Sequence, residues 1–226
     1  MKKLCFCLAI FLLSQNLAAF LGSELEKNGW KILTKKKVPA SEFSITEDNG
    51  IKIVSPASNA LIYREVNAEE RMGNVLSWEW KVEDGLPSKT LKKKRGDDRP
   101  IAIYIWFESN PKYDSWWMRT KAKIARSFVG VPLQGRILTY VWGGTASDQE
   151  FFDNPHIRGF GKMIALKTQE ESLGLWQIEK RNLKQDFQEA FGFPMPKIRF
   201  LALSADSEDS KKRGVAFIKN IQLSDS

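Results

Sequence analysis

The stretch Val75-Leu76-Ser77-Trp78-Glu79-Trp80-Lys81-Val82 alternates between apolar and polar residues, so as an extended strand it places Leu76, Trp78, Trp80 and Val82 on one face and Ser77, Glu79 and Lys81 on the other. The two tryptophans belong to a buried face. Ile101-Ala102-Ile103-Tyr104-Ile105-Trp106-Phe107 is apolar on both sides, as a strand is when both faces are covered or when one lines a cleft. Residues 137–142 repeat this, with Tyr140 and Trp142 opposite Ile137, Thr139 and Val141. Further runs rich in β-branched and aromatic residues lie at 30–33, 43–45, 51–54, 60–66, 163–167, 175–179, 198–203 and 215–223, mostly separated by Gly, Pro, Asn or Asp. About eleven short strands without regularly alternating helices indicate a mainly β fold, an antiparallel two-sheet jelly-roll-like sandwich with one or two short helices.

The clearer helix spans residues 183–191, where Leu183, Phe187, Ala190 and Phe191 share a face, Asn182 is the N-cap, and Gly192 and Pro194 end it. A second candidate covers 115–128, with Trp117, Ile124 and Phe128 on one side.

At the N-terminus, Lys2 and Lys3 precede an apolar run at 4–13, too short to span a bilayer, followed by the small residues Ala18 and Ala19. Residues 1–19 are therefore expected to be a signal peptide cut after Ala19, leaving one β-sandwich domain at 20–226 with no transmembrane segment. Cys5 and Cys7 both lie in the apolar run, so a lipidation site is not expected, and the mature chain has no disulfide and no thiol chemistry. The chain carries 35 Lys and Arg against 27 Asp and Glu, a net +8 that falls to about +6 without Lys2 and Lys3. For a periplasmic or secreted protein, such a surface favours anionic or polar envelope components over nucleic acid.

Several marks in order resemble the exported bacterial family of unknown function DUF3047. They are Ser58-Asn59-Ala60-Leu61-Ile62-Tyr63-Arg64, Trp78-Glu79-Trp80-Lys81-Val82, Gly96-Asp97-Asp98, Leu138-Thr139-Tyr140-Val141-Trp142, Leu173-Gly174-Leu175-Trp176, Glu179-x-Arg181-Asn182, Asp186-Phe187, Phe191-Gly192 and the acidic run 206–210. The chain departs from the family pattern at Ala102, where an Arg is common, at Asn220, where an Asp is common, and in the acidic run. The resemblance implies a periplasmic β-sandwich and no particular catalytic role.

Candidate sites follow from side-chain chemistry. If the strands at 101–107 and 137–142 share a sheet with matching orientation, Tyr104, Trp106, Tyr140 and Trp142 form an aromatic platform suited to sugar rings, with Asp97, Asp98 and Arg181 as polar contacts. The alternative is that loops or the 115–128 helix simply cover this face. Arg181 paired with Asp98 or Asp186 is equally readable as a structural bridge. Two of the acids near strand ends (Glu79, Asp97, Asp98, Glu108, Glu179, Asp186, Asp206, Asp209) facing each other across a cleft would suit a carbohydrate-active hydrolase. Asp206, Glu208 and Asp209 present alternating oxygens of the kind Ca²⁺ takes, although a polar turn explains them as well. No other cofactor is implied. His156, the one histidine, is expected to have no catalytic part. Trp116 and Trp117 beside Arg119, Lys121, Lys123 and Arg126 suggest peripheral membrane contact or a packed helix. The leading expectation is a non-catalytic periplasmic sandwich that binds a glycan or similar polar ligand, with a carbohydrate-active hydrolase using an acidic pair or an envelope structural or interaction protein as alternatives.

Overall fold

A computed structural model describes residues 21–114, 135–169 and 171–225. The expected signal peptide, the 115–128 helix and the Trp116-Trp117 membrane contact lie outside the described residues. Among the described residues no helix is long and apolar enough to cross a membrane.

The expected two-sheet, mainly β, jelly-roll-like sandwich is what the chain forms. One sheet has seven strands: β1 (Lys31–Thr34), β4 (Asn59–Glu65), β11 (Ile198–Asp206), β6 (Arg99–Phe107), β7 (Ile137–Trp142), β9 (Gly161–Lys167) and β8 (Phe152–Asp153), in that spatial order. The other has five, ordered β10 (Gln177–Asn182), β5 (Val75–Asp84), β12 (Arg213–Ser224), β3 (Ile51–Pro56) and β2 (Glu42–Ile45). The strand pairing is antiparallel, as expected, except between β7 and β9, which run parallel. The two-residue β8 is too short to leave a periodic signal, and it pairs antiparallel with β9.

The alternation in β5 works as the sequence implies: Leu76, Trp78, Trp80 and Val82 are buried between the sheets, where they meet Ile101, Ile103, Ile105 and Phe107 of β6 in one apolar core. The second face of β6 is also covered. Ala102, Tyr104 and Trp106 join Ile137, Val141, Met163 and Phe200 in a separate cluster on the outer side of the seven-stranded sheet.

Among the described residues the two α-helices are α1 (Ser23–Lys27) and α2 (Leu183–Phe191). α2 is bounded as its residues require, with the Asn182 side chain accepting from the Gln185 amide at 3.1 Å and Gly192 closing the end at φ 78°. It is clamped to the core by Asp186, which accepts the Tyr140 hydroxyl at 2.7 Å and two guanidinium nitrogens of Arg181 at 2.8 and 2.6 Å.

One glycine is dictated by close backbone approach. Gly135 has φ +93°, and a Cβ there would lie 2.0 Å from the Phe107 carbonyl oxygen and 2.7 Å from the Glu108 carbonyl carbon. Rotation of a side chain cannot relieve a clash with backbone atoms at the start of β7. Gly135→Ala should therefore cost about 3 kcal/mol in urea unfolding, and a loss below about 1 kcal/mol would contradict this placement.

Candidate functional site

A pocket of about 470 Å³ opens at one end of the seven-stranded sheet and reaches Tyr104 on its outer face. β6 begins there, β11 ends there and β4 begins there, so Asp97, Arg99, Asn59 and Asp206 converge from chain positions far apart. Asn154 and His156 enter from the turn after β8, and Lys35, Lys94 and Arg95 also line it.

The loops that bear these groups are tied down by hydrogen bonds. Buried Asp148 accepts the Leu91 amide at 3.2 Å, the Thr90 hydroxyl at 2.8 Å and the Thr145 amide at 2.9 Å, which fastens the loop before β6 to the turn after β7. Asp98 accepts the amides of Asp209 and Ser210 at 3.3 and 2.6 Å, and Asp209 accepts the Gly96 amide at 2.9 Å. The acidic run 206–210 is thus cross-linked to the Gly96-Asp97-Asp98 loop.

Arg99 is the buried centre of the site. It donates to the Asp97 carbonyl at 2.7 Å, to the Asp97 carboxylate at 3.3 Å and to the Tyr104 hydroxyl at 3.0 Å. Because Arg99 donates to it, the Tyr104 hydroxyl is free to donate to Ser204 Oγ, 2.9 Å away. Asp206 Oδ2 lies 3.9 Å from Arg99 Nη1, the nitrogen that donates to Asp97, and also accepts from Asn59 at 2.5 Å. The Asp97 and Asp206 oxygens, 3.3 and 3.9 Å from one nitrogen, are thus within about 7.2 Å of each other.

Burial, only partly offset by Arg99, pushes the Asp206 carboxyl up to about 6. Burial also works to raise Asp97, but the hydrogen bond from His156 and the charge of Arg99 outweigh it and hold Asp97 below its ordinary range. Burial opposes the Arg99 charge, while Tyr104, Asp206 and Asp97 hold it more basic than an ordinary arginine.

Of the residues expected to form the site, Asp97 and Tyr104 line the pocket, and Asp98 braces its loops. The four-ring platform does not form. Ile103 pairs with Tyr140 and Ile101 with Trp142, so those two rings share the face of the isoleucines and are buried between the sheets, whereas Tyr104 and Trp106 point to the opposite side. Trp106 is itself covered, packed edge-on against Phe200 at 5.6 Å. Arg181 belongs to the Asp186 clamp and not to the Asp97 site.

The proposed calcium ligands are also divided: Asp206 turns to Asn59 and Arg99, Glu208 pairs with Lys35, and Asp209 takes the Gly96 amide. Among the described residues no group of three His, Cys, Asp or Glu is placed to hold a metal ion.

The residue that sequence reasoning set aside is His156, whose Nε2 lies 2.9 Å from Asp97 Oδ2 while half of the side chain remains exposed. Its local signal is slight: Asn154 Oδ1 accepts the His156 amide at 2.9 Å, a turn that aims the ring.

Fold and pocket together define a two-sheet β-sandwich with a charged pocket at one end of its larger sheet. The chain belongs to the family described as a protein of unknown function, DUF3047, whose model matches residues 28–222. No curated protein matches the sequence. Among solved structures, the chain is similar to the xyloglucanase domain of NopAA, a type three effector from Sinorhizobium fredii, in complex with cellobiose. That match has 10% identity and a TM-score of 0.45, covering 88% of this chain and 95% of the other. It is also similar to a loop swap mutant of Necallimastix patriciarum Xyn11A, at 10% identity and TM-score 0.41, covering 87% and 91%.

Proposed function

We propose that this protein is an exported envelope sandwich that binds a polar glycan in the pocket lined by Asp97, Arg99, Tyr104, Asp206 and His156. The observation that carries this reading is the convergence of buried, hydrogen-bonding carboxylates and a hydroxyl on one open cavity of about 470 Å³. Carboxylates are strong acceptors for sugar hydroxyls, and their fixed geometry keeps the cost of ordering the site low. Lys35, Lys94 and Arg95 at the same pocket suit a glycan with anionic substituents, in keeping with attraction of the basic chain to the cell envelope.

Titration of the mature chain with envelope saccharide fragments in a calorimeter tests this. Asp97→Asn should weaken binding at least tenfold, about 1.4 kcal/mol, because a charged acceptor becomes a neutral amide. Trp142→Phe should leave binding within twofold, since that ring lies between the sheets. Equal loss in both variants would move the binding site away from this pocket.

The closeness of Asp97 and Asp206, with opposite displacements of their carboxyls, gives a hydrolase reading its footing as well. For cleavage of a glycosidic bond, however, Arg99 is unfavourably placed. The transition state of that reaction is cationic, and a buried guanidinium sits beside both carboxylates.

A further inference from the structure

The Asp97–His156 pair is a buried carboxylate behind a half-exposed imidazole at a pocket wall. Asp97 Oδ2 accepts at Nε2, which selects the tautomer protonated there and leaves the lone pair on Nδ1. Among the described residues Nδ1 has no hydrogen-bond partner. A ring oriented in this way by a carboxylate is the arrangement a general base requires.

Arg99 then decides which bond such a base can help to break. A fixed cation disfavours an oxocarbenium ion and favours an oxyanion, so the same guanidinium that argues against glycosidic cleavage argues for attack on a carbonyl. Lys94 and Arg95 on the same pocket add donors for negative charge.

Resting on the glycan-binding reading, we infer that the pocket removes O-acyl groups from the bound saccharide, with His156 as the base that activates water and Asp97 as the residue that positions it. Nδ1 takes a proton from water as the oxygen adds to the ester carbonyl, giving a tetrahedral oxyanion beside the cationic groups. The intermediate collapses with cleavage of the bond to the sugar oxygen, and the imidazolium returns its proton to that oxygen. The products are a carboxylic acid and the free sugar hydroxyl, and no oxidant, reductant or further reactant is consumed.

The test uses the mature chain with 4-nitrophenyl acetate and an O-acetylated chito-oligosaccharide, following acetate release. His156→Gln is at a half-exposed position, so its fold is expected to stay intact, which a thermal melt verifies. It should lower kcat about 100-fold, by far more than it changes KM. In the same samples, the native chain should bind the deacetylated oligosaccharide, and Trp142→Phe, whose ring lies between the sheets, should bind it within twofold of native. Acetate release by the native chain no faster than by His156→Gln overturns the esterase proposal. The binding arm reads the glycan-binding proposal separately, since saccharide bound without turnover leaves that reading standing.

Discussion

Replacing Arg99 by methionine should destabilise the protein at pH 7 by about 3–5 kcal/mol, the usual cost of removing one partner from a buried charge cluster. Methionine keeps much of the volume but leaves the Asp97 and Asp206 carboxylates without their shared cation, and the Tyr104 hydroxyl without its donor. For a chain of this length, the melting temperature should fall by about 6–20 °C. The penalty should shrink in acid, because protonated carboxyls no longer need the guanidinium.

The native chain has its own pH signature. The folded-state value for Asp206 is raised from 3.8 to about 6, so its contribution to stability is complete below about pH 4 and is lost as pH rises through about 6. At 1.36 kcal/mol per pH unit, that amounts to about 3 kcal/mol between those limits. Asp97, held low, acts with the opposite sign: it stabilises above its unfolded value, and this is lost as pH falls. Asp206→Asn should flatten the decline between pH 4 and 6. Urea unfolding of native chain, Arg99→Met and Asp206→Asn at pH 4.5 and 7 would decide the matter. An Arg99→Met penalty equal at both pH values would show that the guanidinium does not act through these carboxylates.

The sheets were readable where alternation is a local property and unreadable where register decides. The β5 pattern names its buried face without reference to any neighbour, and β6, apolar on both sides, is indeed covered on both. β7 is also apolar on both sides, so nothing within it says which face meets the core. Only its pairing, with Ile103 opposite Tyr140, sends the two aromatics inward. The parallel β7–β9 pair was hidden for a related reason, since its connection holds a short 3₁₀ turn and β8 in place of the usual crossover helix.

The acidic run 206–210 shows how oxygen count misleads. Apart from the Glu208 amide that Asp206 accepts, its carboxylates serve the Gly96 amide, Asn59, Lys35 and Arg99, all distant in sequence. His156 is missed on the same grounds, because its significance lies in Asp97, 59 positions away. Sequence thus located Asp97 and Tyr104 but could not supply the histidine and arginine that give the site its chemistry.

The largest effect on folding alone is expected at Trp80. Its side chain is fully buried between the sheets, with Trp78 edge-on at 5.3 Å and Trp142 at 5.6 Å. The contact with Trp142 joins β5 of one sheet to β7 of the other, so the ring is packed across the seam that defines the sandwich. Its Nε1 donates to Glu179 at 3.3 Å, which also ties down the edge strand β10. Trp80→Ala should cost about 3–5 kcal/mol, because the rigid neighbours cannot collapse into the space left. Trp80→Phe keeps most of the apolar contact and loses the hydrogen bond, so it should cost less than half as much. Burial already raises the Glu179 carboxyl, and loss of the indole donor should raise it further, which makes the Trp80→Phe deficit larger at pH 7 than at pH 4. Chemical denaturation of both variants at the two pH values provides the check. A Trp80→Ala loss under about 1.5 kcal/mol would mean that the two sheets do not depend on this aromatic seam.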